Sequence, residues 1–465
     1  MAMGRRQRHR QQTMWLATEQ LPRTAGHVFY DQVNKTLAKH GFDEFAEKAC
    51  QQFYADTMGR PSLAPGIYFR MQLIGYFEGI DSERGMAWRC ADSLSLREFI
   101  GVGLTGGVPD HSTVSRTRRL IDLETHGSVF SWMLRVLAEN GLVDGKTVGV
   151  DGSTLEANAA MKSIVRRETG ESYTDFLEGL AKASGIETPT REDLARIDRN
   201  RPKKGSNAEW VHPDDPDAAI TKMKDGRTHL AHKVEHAVDM NSGAVLAVTV
   251  QAANHGDTTT LTETLIELGA QMETLDAITD KLREDRVTEL VTDKGYHSND
   301  SVTPLHAAGV RTYMSEPKRG RRKWKNKTDE QKAVYANRRR IRGDYGKALL
   351  RRRGLMLERP FAHCLETGGL RRVHLRGRSN ILKRVLVHYA AFNLSLVLRQ
   401  QTGKGTPRGL QGLMALHFFA LMLVIRDLEA DLRHLDASST SVGYQNDRFP
   451  IGLMPLENVT STTGC

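Results

Sequence analysis

Apolar side chains in the first third of the chain recur at helical spacing. The stretch PSLAPGIYFRMQLIGYFEGI repeats apolar positions every few residues after a proline-containing start, which is typical of a buried helix. Two further stretches, SLSLREFIGV and PDHSTVSRTRRLI, begin with Ser, Thr or Asp residues that can cap a helix N-terminus. We therefore predict helices through residues 16–140.

At residue 146 the helical spacing gives way to short β-branched runs. The segments KTVGVDGSTLEAN and VTELVTDKGYHS predict strands, and HLAHKVEHAVDMNSGAVLAVTVQAAN predicts a hairpin that turns at DMNSG. Helical patterns follow the hairpin and the second strand, and another runs from about Lys347 to His363. This alternation predicts an α/β fold with a mixed sheet, and a polar insertion over about residues 155–228 after the first strand.

These patterns divide the chain into four parts. We predict a basic arm (1–15), a helical DNA-binding domain (16–140), an α/β domain (141–400) and a C-terminal helix with a flexible tail (401–465). The longest apolar run, LMALHFFALMLVI, is short for a membrane span and contains His417. The N-terminus lacks a secretory signal, and the four cysteines are scattered. We expect a cytoplasmic protein that does not enter the membrane.

Positive charge is concentrated in one segment. The net charge is +10, yet residues 318–353 hold 16 Lys and Arg against three acids, so the rest of the chain is slightly acidic. Such a tract is typical of a surface that binds phosphate, although a solvated charge run has the same composition. Three aromatic residues interleave with the charges and can stack or pack: Trp324, Tyr335 and Tyr345.

A second basic feature lies in the helical region. The order of helix, turn and arginine-bearing helix around residues 94–121 is similar to a helix-turn-helix, which presents a helix to the DNA major groove. Taken alone this signal is weak, because short helical pairs occur in any bundle. Together with the basic tract and the run HLRGRSNILKR, it predicts twelve DNA contacts: Arg116, Arg118, Arg119, Arg338, Arg339, Arg340, Arg351, Arg352, Arg371, Arg372, Arg376 and Lys383.

Two aspartates are predicted to end strands of the sheet. Asp151 follows the first β-branched run and Asp293 follows the run ELVT. If these strands are neighbours, both carboxylates emerge at one sheet edge. Two carboxylates repel each other, and a hard divalent cation such as Mg²⁺ or Mn²⁺ removes that repulsion. The helix near residue 358 offers a third acid, Glu358 or Glu366, and three carboxylates can hold two metal ions.

The segment HLAHKVEH contains three histidines. Zinc is one interpretation, but strand alternation places His229 on the face opposite His232 and His236, and no cysteine accompanies them. We predict ordinary surface or core histidines.

The chain resembles the DDE transposases of bacterial insertion sequences. The resemblance rests on VGVDGSTLEANAAMKSIVRRETGE, VTDKGYHSND and LERPFAHCLETGGLRRVHLRGRSNILKRVLVHYAAFNLSLVLR, in this order and with the hairpin between the first two. The segment RPSLAPGIYFRMQLIGYFEGIDSERGMAWRCADSLSLREF is similar to the helical domain that precedes the core in this group. The resemblance implies a ribonuclease H-like core, with a mixed five-stranded sheet flanked by helices.

The resemblance also implies the site. Its catalytic and metal-binding residues would be Asp151, Asp293 and Glu358, with two Mg²⁺ or Mn²⁺ ions. Glu358 precedes Phe361 at the family's spacing, whereas Glu366 lies close to a pair of glycines that should end the helix. We therefore prefer Glu358 and keep Glu366 as the alternative.

The implied function is DNA transposition. Such an enzyme binds the terminal inverted repeats of its element on double-stranded DNA, cleaves them and joins the 3′-hydroxyl ends to target DNA, as a homodimer or larger assembly. Two alternatives stay open: a catalytically silent relic that acts as a DNA-bound repressor, and a metal-dependent nuclease of the same fold.

Overall fold

The structure is a computed structural model that describes most of the chain. It describes residues 17, 21, 23–55, 62–201, 205–223, 225–279, 286–318, 320 and 322–409. The predicted basic arm, most of the predicted C-terminal helix and tail, and the apolar run at 413–425 lie outside the described residues. The described residues belong to one compact unit.

Helices precede the sheet, as the apolar spacing predicts. In the described residues they are α1 (Ala25–Lys39), α2 (Phe42–Cys50), α3 (Pro65–Glu78), α4 (Glu83–Asp92), α5 (Leu94–Phe99), α6 (His111–Leu120) and α7 (Leu123–Glu139). The predicted caps are present at two helices, where the side chains of Ser93 and Asp110 accept backbone N–H groups at the starts of α5 and α6. Ser82 and Asp122 cap α4 and α7 in the same way. The predicted domain boundary at residue 140 stays a prediction.

The strands form a mixed sheet and a small second one. The strands are β1 (Thr147–Glu156), β2 (Val165–Arg166), β3 (Trp210–Val211), β4 (Ala219–Lys222), β5 (Thr228–Asp239), β6 (Val245–Ala252), β7 (Glu289–Thr292) and β8 (Arg311–Met314). The order β6–β5–β1–β7–β8 combines an antiparallel half with a parallel half, in which β1 pairs with β7 and β7 with β8. This arrangement is compatible with a ribonuclease H-like fold.

The main sheet has one strand more than the five predicted. The extra strand, β4, comes from the insertion and pairs with the first residues of β5, along the edge that β6 occupies further on. The insertion also carries α8 (Tyr173–Ala183) and α9 (Arg191–Asn200). Trp210 is almost fully buried in a separate apolar cluster there, against the rings of Tyr173 and Phe176. The insertion therefore has its own small core.

Helices cover both faces of the sheet. After the hairpin come α10 (Asp257–Asp276), α11 (Asn299–Ala307), α12 (Thr328–Arg342), α13 (Asp344–Phe361) and α14 (Arg378–Thr402). A Cβ atom on Gly149 of β1 would meet Leu357 of α13, whereas one on Gly152 would meet Lys233, whose amine binds Thr260 of α10. Because neighbouring positions of a strand face opposite ways, α13 and α10 lie on opposite faces.

Helix α14 joins the N-terminal helices to the sheet. Lys383 of α14 is 7% exposed and donates hydrogen bonds to the carbonyl oxygens of Arg118 (3.1 Å) and Ile121 (2.8 Å). Arg118, also 7% exposed, donates to Glu83 (2.7 Å) and Asn380 (2.6 Å). Both cations, predicted from sequence as DNA contacts, are therefore engaged inside the protein.

Among the described residues, α14 lies in a segment, Arg378–Gly409, that is long and apolar enough to cross a membrane. In that segment, 94% of the most apolar window is buried inside the protein. Burial among other helices and the sheet is the behaviour of a core helix.

Substituting Gly346 should separate α12 from α13. A Cβ atom there would collide with the backbone carbonyl of Arg340, so we expect Gly346→Ala to lower the free energy of unfolding by about 1–3 kcal/mol. Gly354, on the same helix, has no atom within 4 Å of a built Cβ. Gly354→Ala should instead raise that free energy by about 0.5–1 kcal/mol. Urea unfolding of both variants tests this, and equal effects would contradict it.

A candidate active site on strands β1 and β7

Asp151 lies inside strand β1 and not at its end. The sequence analysis placed the end of the strand at this residue, but β1 continues to Glu156. The reason is that β5 pairs with β1 all the way from Val148 to Glu156, which keeps the chain extended past the aspartate. The Asp151 side chain is 21% exposed.

Asp293 directly follows β7, as predicted. Strands β1 and β7 are parallel, and their register pairs Val148 with Leu290 and Gly149 with Val291. The pairing itself stops at Gly149 and Val291, and continuing its register by two residues would bring Asp293 opposite Asp151. Asp293 opens a short 3₁₀ turn, in which its Oδ1 accepts the Gly295 N–H at 2.7 Å.

The two aspartates interact electrostatically. Burial raises the pKa of Asp151 to about 6, and the Asp293 and Asp257 carboxylates also raise it. The Gly152 N–H and the Arg353 guanidinium, which is 3.5 Å from Asp151 Oδ2, act in the opposite direction. Asp151 therefore tends to bind a proton, because one arginine does not offset burial beside like charges.

Helix α13 lies over the face that carries both aspartates. Its residues Arg353, Leu357 and Phe361, spaced one turn apart, contact Asp151, Gly149 and His236 respectively. His236 is the β5 residue opposite Asp151. These contacts fix one side of α13 against β1 and β5.

Glu358 follows Leu357 and projects from the flank of this helix. Its side chain is exposed, and among the described residues it has neither a hydrogen bond nor an ion pair. The third predicted acid therefore has a carboxylate available for a ligand, on the helix that covers the two aspartates.

His236 holds α13 at this point. Its Nε2 donates to the Leu357 carbonyl oxygen (3.1 Å), its Nδ1 lies 3.2 Å from the Tyr389 hydroxyl, and its ring stacks on Phe361 at 3.8 Å. Burial lowers the pKa of His236 to about 3, so the ring is neutral at ordinary pH. The prediction of an ordinary core histidine fits these contacts, but the hydrogen bond to Leu357, the residue before Glu358, was not foreseen.

Glu366, the alternative third acid, is already engaged. It lies in a π-helical turn (Ala362–Thr367) after α13 and forms an ion pair with Arg371. Arg371, a predicted DNA contact, also approaches the Thr154 carbonyl oxygen at 3.4 Å. The geometry favours Glu358 over Glu366, and the assignment stays a prediction.

The carboxylate groups of Asp151, Asp293 and Glu358 are chemically suited to bind a divalent cation. In the described part of the chain, no three His, Cys, Asp or Glu side chains are grouped closely enough to hold a metal ion. What the fold brings together is a pair of repelling aspartates, with a free glutamate on the covering helix. Carboxylate oxygens are the ligands that Mg²⁺ and Mn²⁺ prefer, so these residues fit a hard cation.

Comparisons with known families agree with this arrangement. A family model described as Transposase domain (DUF772) matches residues 18–120, and one described as Transposase DDE domain matches residues 183–394. The second match includes Asp293 and Glu358, while Asp151 lies before it. Searches of curated proteins and of solved structures found no match.

The chain belongs to the DDE transposases of insertion sequences. The family resemblance derived from the sequence is thereby confirmed, and membership indicates a role in transposition.

The predicted DNA contacts of this transposase differ in exposure, and some exposed ones also have partners, since Arg372 pairs with Glu156 (3.8 Å) and Arg376 with Asp214 (3.0 Å). Seven are exposed: Arg116, Arg119, Arg339, Arg351, Arg352, Arg372 and Arg376. The exposed set comes from α6, α12, α13 and the segment before α14. Besides Arg118, Lys383 and Arg371, two members of the basic tract are engaged internally.

Arg338 and Arg340 bind neighbouring parts of the transposase. Arg338 forms two hydrogen bonds to Glu316 (2.6 and 2.9 Å), and Arg340 donates to the carbonyl oxygen and hydroxyl of Thr312 (both 3.0 Å). The aromatic residues of the tract also pack: Trp324 lies 6.1 Å from Tyr335, between ring centres. Part of the tract therefore holds α12 in place.

Three polar residues near the site were not identified from the sequence. Arg353 was noticed only as part of an arginine run, and neither Asp257 nor Glu235 was considered. A signal for Glu235 exists, because Lys233 and Glu235 are two residues apart and share one face of a strand whose residues are nearly all buried. Two opposite charges at that spacing on a buried face indicate a polar network.

Asp151→Asn should stabilise the metal-free transposase at neutral pH. Folding raises the pKa of Asp151 to about 6 from about 3.9 in an unfolded chain. The aspartate therefore stabilises the fold fully below pH 4, and this contribution is lost as pH rises through 6. We expect the variant to gain about 1–2 kcal/mol at pH 8 and nothing at pH 4, measured by urea unfolding with a chelator present.

Asp225→Asn is the control for that measurement. Asp225 is an exposed aspartate whose pKa is lowered by hydrogen bonds from the Arg227 N–H and His229, so its loss should destabilise the protein at pH 8. If Asp151→Asn also destabilised the protein at pH 8, the repulsion inferred at the site would be wrong.

Proposed function

We propose that this transposase binds the terminal inverted repeats of its insertion sequence, cleaves the DNA and joins the 3′-hydroxyl ends to target DNA. The observation that carries the proposal is the register of β1 and β7, which sets Asp151 beside Asp293 under the helix that bears Glu358. Two acids on adjacent strands and a third on a covering helix form an oxygen-rich site suited to phosphoryl transfer.

Asp151, Asp293 and Glu358 would hold divalent metal ions, Mg²⁺ or Mn²⁺, in our proposal two per site. Bound there, such ions supply charge for the phosphate oxygens and lower the pKa of an attacking water. The protein itself would position the three carboxylates for metal binding. Arg353, which contacts Asp151 from α13, adds a fixed positive charge next to the place where a phosphate would lie.

The proposed partner is double-stranded DNA, both the element's ends and the target. Transposases bind DNA, and the exposed arginines of α6, α12 and α13 offer cations for its phosphates. Because two ends must be joined in one event, we propose a homodimer or larger assembly. Transposition would take place in the bacterial cytoplasm, at the nucleoid.

Neutralising any of the three acids should abolish cleavage and leave DNA binding intact. We expect Asp151→Asn, Asp293→Asn and Glu358→Gln each to slow metal-dependent cleavage by roughly a thousandfold, because metal ions supply several kcal/mol of transition-state stabilisation. The substrate is a duplex that contains the genomic sequences flanking the gene, incubated with Mg²⁺ or Mn²⁺. Affinity for the duplex should stay within about twofold.

Glu366→Gln is the matched control for Glu358→Gln, and it should keep its activity. Full activity of Glu358→Gln together with loss in Glu366→Gln would move the third acid to Glu366. Binding of the duplex by the wild type without any cleavage would favour the repressor. Cleavage without joining of the ends to a second duplex would favour the nuclease.

Exposed arginines of the basic tract should set the salt dependence of DNA binding. We expect the double variant Arg339→Gln, Arg351→Gln to weaken binding equally for all sequences. It should also reduce the slope of log affinity against log salt by up to about two, since each phosphate contact contributes about 0.9. The slope is measured by fluorescence anisotropy at several salt concentrations.

Arg338→Gln is the comparison for that experiment. Its guanidinium binds Glu316, so this variant should lose stability while the salt slope stays as in the wild type. An unchanged slope in the double variant would contradict a phosphate role for the tract.

A further inference from the structure

Glu235 is a fully buried acid that the proposed chemistry does not use. It lies on β5, opposite Gly152 in the pairing with β1, and is 0% exposed. Its carboxylate accepts hydrogen bonds from the hydroxyls of Thr260 (2.7 Å) and Thr264 (2.5 Å) on α10. A buried acid so well satisfied has a defined position, since every partner comes from a rigid element.

The third hydroxyl bound to Glu235 belongs to the turn that begins at Asp293. Tyr296 is fully buried, and its hydroxyl donates to Glu235 Oε1 at 2.7 Å. Asp293, Gly295 and Tyr296 belong to the same 3₁₀ turn. The Glu235–Tyr296 hydrogen bond therefore connects this turn directly to β5, the strand next to β1.

A lysine completes the network. Lys233 Nζ binds Asp257 and the Thr260 hydroxyl, both at 2.7 Å, and lies 3.5 Å from Glu235. It compensates the buried negative charge of Glu235. Asp257 in turn lies against Gly295, where a Cβ atom would collide with its carboxylate. The network thus contacts the turn at Gly295 and at Tyr296.

We propose that the Glu235–Tyr296 hydrogen bond positions Asp293 beside Asp151, and this inference rests on the proposed function. Asp151 is held inside β1 by its pairing with His236 of β5, whereas Asp293 lies beyond the last residue of β7, where ladder pairing no longer fixes the chain. Its direction depends on the turn that follows. Glu235 and Tyr296 are positioning residues in this proposal, because they act through Asp293.

The test compares Tyr296→Phe with Tyr313→Phe. Tyr313 is also buried and donates its hydroxyl to a buried acid, Glu289, at 3.3 Å. Glu289, however, is the first residue of β7, at the end of the strand away from Asp293. The two variants remove the same atom from similar surroundings, and only one of them releases the turn.

The first readout is Mn²⁺ binding by the folded, DNA-free chain, measured by calorimetry. We expect Tyr296→Phe to weaken Mn²⁺ binding by about tenfold or more, as loss of a group that orients a metal ligand does, and Tyr313→Phe to bind within about twofold of the wild type. The kcat of DNA cleavage by Tyr296→Phe should be lower than that of the wild type. It should recover in part when Mn²⁺ replaces Mg²⁺. Its affinity for the duplex should not change.

Asp293→Asn separates the two possible failures. If Asp293→Asn weakens Mn²⁺ binding but Tyr296→Phe behaves like Tyr313→Phe, the positioning role is overturned and the proposed function stands. If Asp293→Asn itself leaves Mn²⁺ binding and cleavage unchanged, the proposed function fails. Circular dichroism at the assay temperature shows that each variant is folded.

Discussion

The site depends on two like charges that the sheet holds next to each other. The backbone of Asp151 is fixed, because β1 is paired with β5 through Asp151 and beyond, and with β7 as far as Gly149. Adjacent strands lie about 4.8 Å apart, so the register of β1 and β7 brings Asp151 and Asp293 near each other, and in our proposal the turn after Asp293 sets the direction of its carboxylate. The fold tolerates this repulsion, and in the proposed function the two carboxylates would already be held near each other before a cation binds.

The surroundings of the pair explain why a proton alone does not resolve the repulsion. Burial is the main reason that the pKa of Asp151 rises to about 6, so at neutral pH the group is largely ionised and still costly. Arg353 reaches Asp151 from α13 at 3.5 Å, which is a loose contact for an ion pair. His236 adds no charge, because burial keeps it neutral. A cation that binds both aspartates would stabilise the fold as well as the reaction.

The sequence predicted most of the fold and only part of the site. Spacing alone predicted the hairpin of β5 and β6 and the positions of Asp293 and α13, because each depends on local pattern and on residues next to it in the chain. The full length of β1 was missed, because it depends on pairing with β5, which begins more than 70 residues later. The sixth strand was missed for the same reason: β4 is too short to show a pattern, and only its pairing with β5 defines it. The contacts of Glu235 with Tyr296 and of His236 with Leu357 join residues 61 and 121 positions apart, and nothing local indicates them.

The basic tract shows that formal charge overestimates the number of side chains available to bind phosphate. Glu316, just before the tract, pairs with Arg322 as well as Arg338, and Arg340 is used to bind Thr312. These arginines fix α12 beside β8, so their charges serve the fold. Cations available to phosphate come instead from separate elements, among them Arg116 of α6, Arg339 of α12 and Arg351 of α13.

Because the helical part and the sheet are joined through buried Lys383 and Arg118, a duplex bound by α6 would be held in a fixed relation to Asp151 and Asp293. In the proposed function, the internal arginines would therefore act on DNA binding indirectly, by fixing the exposed arginines relative to the site.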